Sequence, residues 1–326
     1  MNSENTLRLA FYDSGIGGFS VLREFLKFFK GVNKENAEIK GCERFQRAVG
    51  ENNRSELKIE ICYIADSARA PYGERSLEDI KRYVHEFSDF AANLGIDYFI
   101  SACNTSSNLF EDLDFSAYKF KTLNLFTALN SFLEKEKETL ALANLYYLAT
   151  KANIASGKYK NLALKVNPIA CPKLVPLIEK FKFEEALSVL ETEYLGSAED
   201  DENAENGAVH QSISETDVQR AVLRQRRTSD RSVLLVHEDH EDDENAENGA
   251  VHQSQDILIL GCTHYALLKH LLGKYSIIDP AELILKEFSK NFTAGKISLI
   301  NLNTYSTGEN SSLIVSTKEL TVSNET

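Results

Sequence analysis

The sequence contains no tryptophan, only one methionine, and five cysteines that form no Cys-X-X-Cys pair. An odd, widely spaced set of cysteines argues against a disulfide framework and against a zinc ribbon. No apolar run reaches the length of a membrane span, and the first residues lack the pattern of a secretory signal. These absences predict a cytoplasmic protein with free thiols and no membrane contact.

A basic surface is also lacking, so nucleic-acid binding is not predicted. Residues 199–254 hold 15 acidic residues and 5 arginines, which accounts for 10 of the 13 net negative charges of the chain. The segment EDDENAENGAVHQS occurs at 199–212 and again at 241–254. So polar a region favours a disordered insertion at about 197–253, with its histidines as solvated residues rather than metal ligands. These histidines are His210, His237, His240 and His252.

Two similar stretches organise the rest of the chain. They are FISACNTS at 99–106 and ILILGCTHY at 257–265. In each, a short apolar run typical of a buried strand leads to a cysteine and then to polar side chains that favour a helix start. Cys103 and Cys262 are therefore predicted at the carboxyl ends of strands, where open α/β sheets bind ligands. A buried core thiol is the alternative for either cysteine alone, but the repetition favours a pair of acid/base groups facing one cleft.

The first predicted strand, Leu7–Tyr12, is followed by a turn with three glycines and then by a helix over Phe19–Phe29. A dinucleotide site fits this turn poorly, because the third glycine of that fingerprint would fall at Ser20. We interpret the glycines as allowing close approach of the backbone to a ligand, with Asp13 and Ser14 directed toward it.

Other elements follow from the same kinds of pattern. Strands are predicted over Ile59–Ala65 and Leu142–Ala149, helices from the capping residue Ser76 to Gly95 and over Leu123–Leu133, and a surface excursion over 31–57. The turn from Arg69 to Gly73 either carries Tyr72 over a pocket as a lid or leaves that tyrosine exposed. Glu179, taken alone, is predicted to be a solvated helix residue.

Four sequence blocks then resemble, in order, the signature blocks of bacterial glutamate racemases: FYDSGIGGFSVLREF, YIADSARAPYGERS, SACNTSSN and ILGCTHYALL. The resemblance extends from Leu7 to Gly308, with interruptions at 31–57 and 196–254. It implies two pseudosymmetric α/β domains with parallel-rich sheets and the active site in the cleft between them. The expected domains are 1–123 with 291–326, and 124–290.

The resemblance also implies roles for individual residues. Cys103 and Cys262 correspond to the two catalytic acid/bases, Asp13 to the carboxylate that assists the first, and His264 to the imidazole that assists the second. Glu179 corresponds to a residue beside that histidine, which changes its interpretation. The implied substrate-binding residues are Asp13, Ser14, Pro71, Tyr72, Gly73, Asn104, Thr105, Thr150, Thr263 and His264.

The implied activity is cofactor-independent interconversion of L- and D-glutamate by a homodimer, supplying peptidoglycan synthesis, with no metal. Three positions depart from the family pattern: Asn153 replaces a usual threonine, Ala266 replaces a common proline, and LNLFTALN at 123–130 lacks a proline-containing segment. Aspartate racemase, a non-catalytic binding protein on the same scaffold and a nucleotide-dependent enzyme are the alternatives. Relative rates on glutamate and aspartate distinguish the first of these.

Overall fold

The structure is a computed structural model that describes residues 6–32, 56–195, 256–290, 292, 296–307 and 313–320, the last range by its backbone alone. The predicted insertion at 197–253, with its four histidines, lies outside these residues. So do positions 33–55 of the predicted excursion, whose remaining residues belong to the ends of a helix and a strand.

Two sheets with flanking helices form the described part of the chain, which confirms the predicted α/β class. The first sheet has the order β10-β9-β2-β1-β3-β4 and the second β6-β5-β7-β8. Their strands are β1 Thr6–Asp13, β2 Glu56–Ala65, β3 Tyr98–Ser101, β4 Lys121–Asn124, β5 Asn144–Ala149, β6 Asn167–Ala170, β7 Asp256–Gly261, β8 Ser276–Ile278, β9 Lys296–Thr307 and β10 Leu313–Leu320.

All neighbouring strands are parallel except β9 and β10, which pair antiparallel. The central strand β1 lies between β2 and β3, and its residues Leu9 to Tyr12 are fully buried. A parallel strand covered on both faces requires such a continuous apolar run. In the second sheet, β5 and β7 pair so that Ala149 is level with Gly261. Both sheets therefore align the carboxyl ends of their central strands.

Alpha helices of different lengths connect these strands. They are α1 Phe19–Val32, α2 Leu77–Asn93, α3 Asn104–Ser107, α4 Leu125–Lys135, α5 Lys151–Ala155, α6 Leu174–Glu179, α7 Phe183–Val189 and α8 Pro280–Ser289. The side chain of Ser76 accepts a hydrogen bond from Asp79 N at 3.1 Å, as predicted for the start of α2. Beyond its end, Gly95 adopts φ +65°, which favours glycine.

One continuous apolar core joins the two sheets. Helix α8 packs against α1 and α4, and Phe288 lies among Phe25, Phe28 and Phe29 with ring centroids 5.0 to 6.4 Å apart. This helix falls within the segment predicted for the second domain, yet much of its apolar face covers a helix of the first. The division into 1–123 with 291–326 and 124–290 stays a prediction.

Two predicted boundaries are wrong in the region between the sheets. The helix expected over Leu123–Leu133 begins at Leu125, because Asn124 ends strand β4 and its side chain caps the helix by accepting from Thr127 N at 2.8 Å. The strand expected from Leu142 begins at Asn144, and Leu142 is exposed. Among the described residues, none of the helices is long and apolar enough to cross a membrane.

Candidate active site

The two predicted cysteines lie just beyond the ends of β3 and β7. Cys103 is the residue before α3, and its carbonyl accepts from Ser107 N at 2.9 Å. Cys262 follows Gly261 directly, and its carbonyl accepts from Tyr265 N at 3.0 Å, which starts a 3₁₀ turn over Tyr265–Leu271. Both side chains are buried. The geometric part of the prediction, thiols at the carboxyl ends of strands, is confirmed.

Asp13 lies beside Cys103 at the end of β1. Its Oδ2 accepts hydrogen bonds from the backbone N–H groups of Gly15 and Gly18, each at 2.9 Å. The other oxygen, Oδ1, is buried without a hydrogen-bond partner among the described residues. Burial raises the pKa of Asp13, although the charge of His264 opposes the shift. This carboxyl group thus retains one oxygen that can accept a hydrogen bond from a further donor.

The surroundings of Cys103 favour its protonated form. Burial, followed by the negative charge of Asp13, raises the pKa of this thiol to about 12. Cys103 Sγ donates a hydrogen bond to the hydroxyl of Ser14 at 3.8 Å. At neutral pH the first half of the site therefore presents a thiol, which can donate a proton.

The second half of the site has the opposite electrostatic character. His264 Nδ1 lies 3.8 Å from Cys262 Sγ, and Nε2 lies 2.5 Å from Glu179 Oε1. Burial lowers the pKa of His264, but hydrogen bonds to Cys262 and Glu179 outweigh it and raise the pKa to about 10. At neutral pH His264 then carries a positive charge, and both ring nitrogens donate. A cation beside a cysteine is the usual device for activating a sulfur nucleophile or base.

This pairing predicts a specific dependence of stability on pH. The pKa of His264 is raised from 6.5 to about 10 on folding, so its contribution to folding stability is complete below pH 6.5 and disappears as pH rises through about 10. We expect the melting temperature of the native protein to fall over this interval by more than that of His264→Gln. Thermal unfolding at pH values across the interval measures the difference.

The substitution His270→Gln provides a control, because that exposed histidine contacts the backbone carbonyl of Leu267 and the ring of Phe183. The native protein and this control should have parallel pH profiles. If His264→Gln follows the same profile as the native protein, His264 is not charged in the folded state at neutral pH.

The glycine-rich turn after β1 reaches across to the second half of the site. A Cβ placed on Gly17 would lie 2.5 Å from His264 Nδ1 and 2.6 Å from Thr263 Oγ1. The N–H of Ile16 donates to Glu179 Oε1 at 3.4 Å. The sequence predicts that these glycines let the backbone approach a ligand. At Gly17 the missing side chain instead leaves room for His264 and Thr263 of the second half of the site. Glu179 is half-buried and bonded here, so the solvated alternative for it is wrong.

Side chains after Cys103 also cross to the second sheet. The hydroxyls of Thr105 and Thr150 lie 3.2 Å apart. The side-chain amide of Asn104 can be oriented with its oxygen toward the backbone of Cys262 and Thr263. In that orientation the oxygen accepts hydrogen bonds from both N–H groups, each at 3.3 Å. These buried groups connect the two halves of the site by hydrogen bonds.

Tyr72 is buried, so the interpretation of this tyrosine as an exposed turn residue is wrong, while its role as a lid stays a prediction. Its hydroxyl lies 2.5 Å from Tyr12 Oη and donates to Asp66 Oδ2, also at 2.5 Å. The same carboxylate accepts from Thr307 Oγ1 at 2.9 Å and pairs with Arg69 Nε at 2.7 Å. These bonds hold the aromatic ring inside the first half. The next residue, Gly73, is so close to Thr150 that an added Cβ would lie 2.9 Å from its Cβ.

The structure brings the predicted site residues to one place. Around the two thiols it gathers Asp13, Ser14, Asn104, Thr105, Thr150, Glu179, Thr263 and His264, while Pro71, Tyr72 and Gly73 form the adjoining turn. Sequence reasoning missed the role of Asp66 in holding Tyr72. The sequence contained a signal for this role. Asp66 directly follows β2, and Asp13 ends β1, the parallel strand beside it, so both carboxylates lie at the same edge of the sheet.

These features define a class of protein: a two-sheet α/β fold with a cysteine at a strand end of each sheet, and with unequal partners for the two sulfurs. No family model matches the chain. Glutamate racemase of Picosynechococcus is 30% identical over 185 residues, which span 55% of this chain and 55% of that protein. Glutamate racemase of Aquifex aeolicus is 24% identical over 310 residues, 90% of this chain and 87% of that protein.

Solved structures show the same fold. The glutamate racemase of Thermus thermophilus has a TM-score of 0.55 at 21% identity, covering 94% of this chain and 90% of its own. An isoform from Bacillus anthracis has a TM-score of 0.57 at 20% identity, with 94% and 90% covered. The chain is similar to proteins named glutamate racemase and shares the fold of the solved ones. It aligns with only about half the length of the first curated relatives that it matches.

Proposed function

We propose that the protein is a glutamate racemase, which inverts the α-carbon of L- or D-glutamate by proton transfer to and from two cysteines. The observation that carries the proposal is the unequal pair of buried thiols: Cys103 beside a carboxylate and Cys262 beside a histidine whose pKa is about 10. A two-base inversion needs one sulfur able to accept a proton and the other able to donate one.

In this mechanism the sulfur of Cys262, adjacent to the His264 cation, removes the α-proton from one face of the amino acid. Cys103 donates its thiol proton to the opposite face, and the carbon is inverted. The two sulfurs then hold exchanged protonation states, and the reverse reaction restores them. On the first side, Asp13 Oδ1 would accept a hydrogen bond, since it is buried without a partner among the described residues. On the second side, Glu179 orients His264 through the contact with Nε2.

The substrate would be held by hydroxyl and amide groups that line the same cleft. Ser14 and Asn104 adjoin the first thiol, whereas Thr150 and Thr263 belong to the second half. Tyr72 would contribute through its backbone with Gly73, because its hydroxyl is engaged by Asp66. Donors that face the α-carboxylate stabilise the charge that develops when the α-proton leaves.

The wider role follows from the same activity. D-glutamate produced by this reaction would supply peptidoglycan synthesis in the cytoplasm, and the described cysteines are free thiols, as a reducing compartment requires. A homodimer, as the family resemblance implies, is part of this proposal and is measured by sedimentation. Of the solved relatives, the Francisella tularensis glutamate racemase was crystallised with D-glutamate, which supports the choice of substrate.

The direct test is to incubate the purified, reduced protein with L-glutamate, without any added cofactor, and to separate the enantiomers of the product. We expect D-glutamate to accumulate toward an equal mixture, and aspartate to react at least about tenfold more slowly, since the two substrates differ by one methylene. Faster conversion of aspartate would make the protein an aspartate racemase. Binding of either amino acid without conversion would indicate a binding protein.

A further inference from the structure

Asn153 lies where two buried hydrogen bonds meet. This residue is in the short helix α5 and is completely buried. Its Nδ2 donates to the carbonyl of Gly261 at 2.8 Å, and its Oδ1 accepts from Asn108 Nδ2 at 3.2 Å. Gly261 immediately precedes Cys262. One end of this amide pair is therefore attached to the backbone of the second cysteine loop.

The other end is attached to the first cysteine loop. Asn108 caps the end of α3, the helix that Cys103 begins, and its N–H donates to the carbonyl of Asn104 at 3.2 Å. The path from α3 through Asn108 and Asn153 to Gly261 thus consists of consecutive hydrogen bonds and crosses from one sheet to the other. This path joins Asn108 to Gly261, two residues that are far apart in the sequence and close only in the folded chain.

Asparagine suits this position because its side-chain amide uses the nitrogen as a donor and the oxygen as an acceptor. A threonine, the residue expected here from the sequence resemblance, has one short hydroxyl and cannot place a donor and an acceptor on two groups so far apart. Gly261 is also constrained on its other side, since an added Cβ would lie 2.5 Å from the Tyr147 ring and 2.7 Å from the carbonyl of Leu148. The carbonyl of Gly261 is therefore held between β5 and Asn153.

We propose that Asn153 is a positioning residue which, together with Asn108, fixes the placement of the Cys262 loop relative to the Cys103 loop. The predicted effect of Asn153 on turnover rests on the proposed racemase function, whereas its predicted effect on the position of the Cys262 loop does not. Two bases that act on opposite faces of one carbon must be held at a fixed separation, and displacement by about 1 Å can reduce a rate by about 100-fold. The amide pair links the backbone segments that carry the two thiols.

The test compares Asn153→Ala, Asn108→Ala and the double variant. We expect each single change to lower kcat for L-glutamate by about 10- to 100-fold, while KM changes much less because the binding groups remain. The double variant should be no worse than the poorer single variant, since both changes break one path. Asn153→Thr should recover part of the lost kcat by retaining one of the two hydrogen bonds.

A second readout does not depend on turnover. The alkylation rates of Cys103, Cys262 and Cys62 by iodoacetamide are followed by mass spectrometry of their peptides. In Asn153→Ala the Cys262 rate should rise by at least about threefold, because local opening of its loop becomes easier, with Cys62 unchanged. If the native protein does not racemise glutamate but Cys262 responds in this way, the proposed function fails and the positioning role stands.

Asn130→Ala is the matched control, because it removes a hydrogen bond that the side-chain oxygen of a partly buried asparagine accepts from the N–H of Ala163 at 2.7 Å. Melting temperatures show whether each variant is folded. If Asn153→Ala and Asn108→Ala match this control in kcat and in Cys262 alkylation, the proposal is overturned. Additive losses in the double variant would also contradict a single path.

Discussion

Replacing either Cys103 or Cys262 with serine is expected to lower racemisation of glutamate by at least about 10³-fold. A hydroxyl occupies nearly the same space as the thiol but is a far weaker acid, so it cannot exchange a proton with the α-carbon at neutral pH. Because each turnover uses both sulfurs, the loss should be similar for the two variants and in both reaction directions. Initial rates from each enantiomer measure it.

Cys62→Ser provides the matched control. This cysteine is also buried, and burial raises its pKa to about 11, but it lies within β2, away from the strand end. Its variant should retain the native rate if it is folded. A serine variant of Cys103 or Cys262 that keeps the native rate would rule out proton transfer by that sulfur.

The substitution Gly17→Ala is expected to lower kcat/KM by about 100-fold or more. The new methyl group would lie 2.5 Å from His264 Nδ1, and the ring cannot retreat freely because it is buried and bonded to Glu179. Since Gly17 does not adopt a positive φ, the backbone itself tolerates alanine. The damage should therefore fall on the His264 and Cys262 pair rather than on folding.

Gly273→Ala is the corresponding control, because no described atom lies within 4 Å of the position of its Cβ. We expect native activity and a native melting temperature from this variant, and a cooperative unfolding transition that shows Gly17→Ala to be folded. Native activity in Gly17→Ala would show that the turn after β1 does not adjoin the second half of the site as described.

The sequence was most informative where local patterns determine structure. Apolar runs identified β1 and β7, the Ser76 box identified the start of α2, and polar residues after each cysteine placed both thiols at strand ends. The boundary at Asn124 was missed because Leu123 and Asn124 suit either the end of a strand or the first turn of a helix. Only the pairing of β4 with β3 decides between them.

Other features depend on contacts between distant parts of the chain. The turn at Gly17 meets His264, and Asp66 meets Thr307, across separations that no local pattern reports. The different protonation preferences of Cys103 and His264 arise from burial and from the neighbouring Asp13 and Glu179. Family resemblance suggested the partners, but the burial that sets these pKa values requires the folded chain.

The most direct test of the two-base mechanism is a solvent-exchange measurement. L-glutamate is converted by the protein in D₂O, and the deuterium content of both enantiomers is measured during the first few per cent of reaction. Two separate bases predict that newly formed D-glutamate carries one α-deuterium while the remaining L-glutamate carries almost none. If deuterium enters both enantiomers equally from the start, or if the product retains the original proton, one group serves both faces and the roles assigned to Cys103 and Cys262 are wrong.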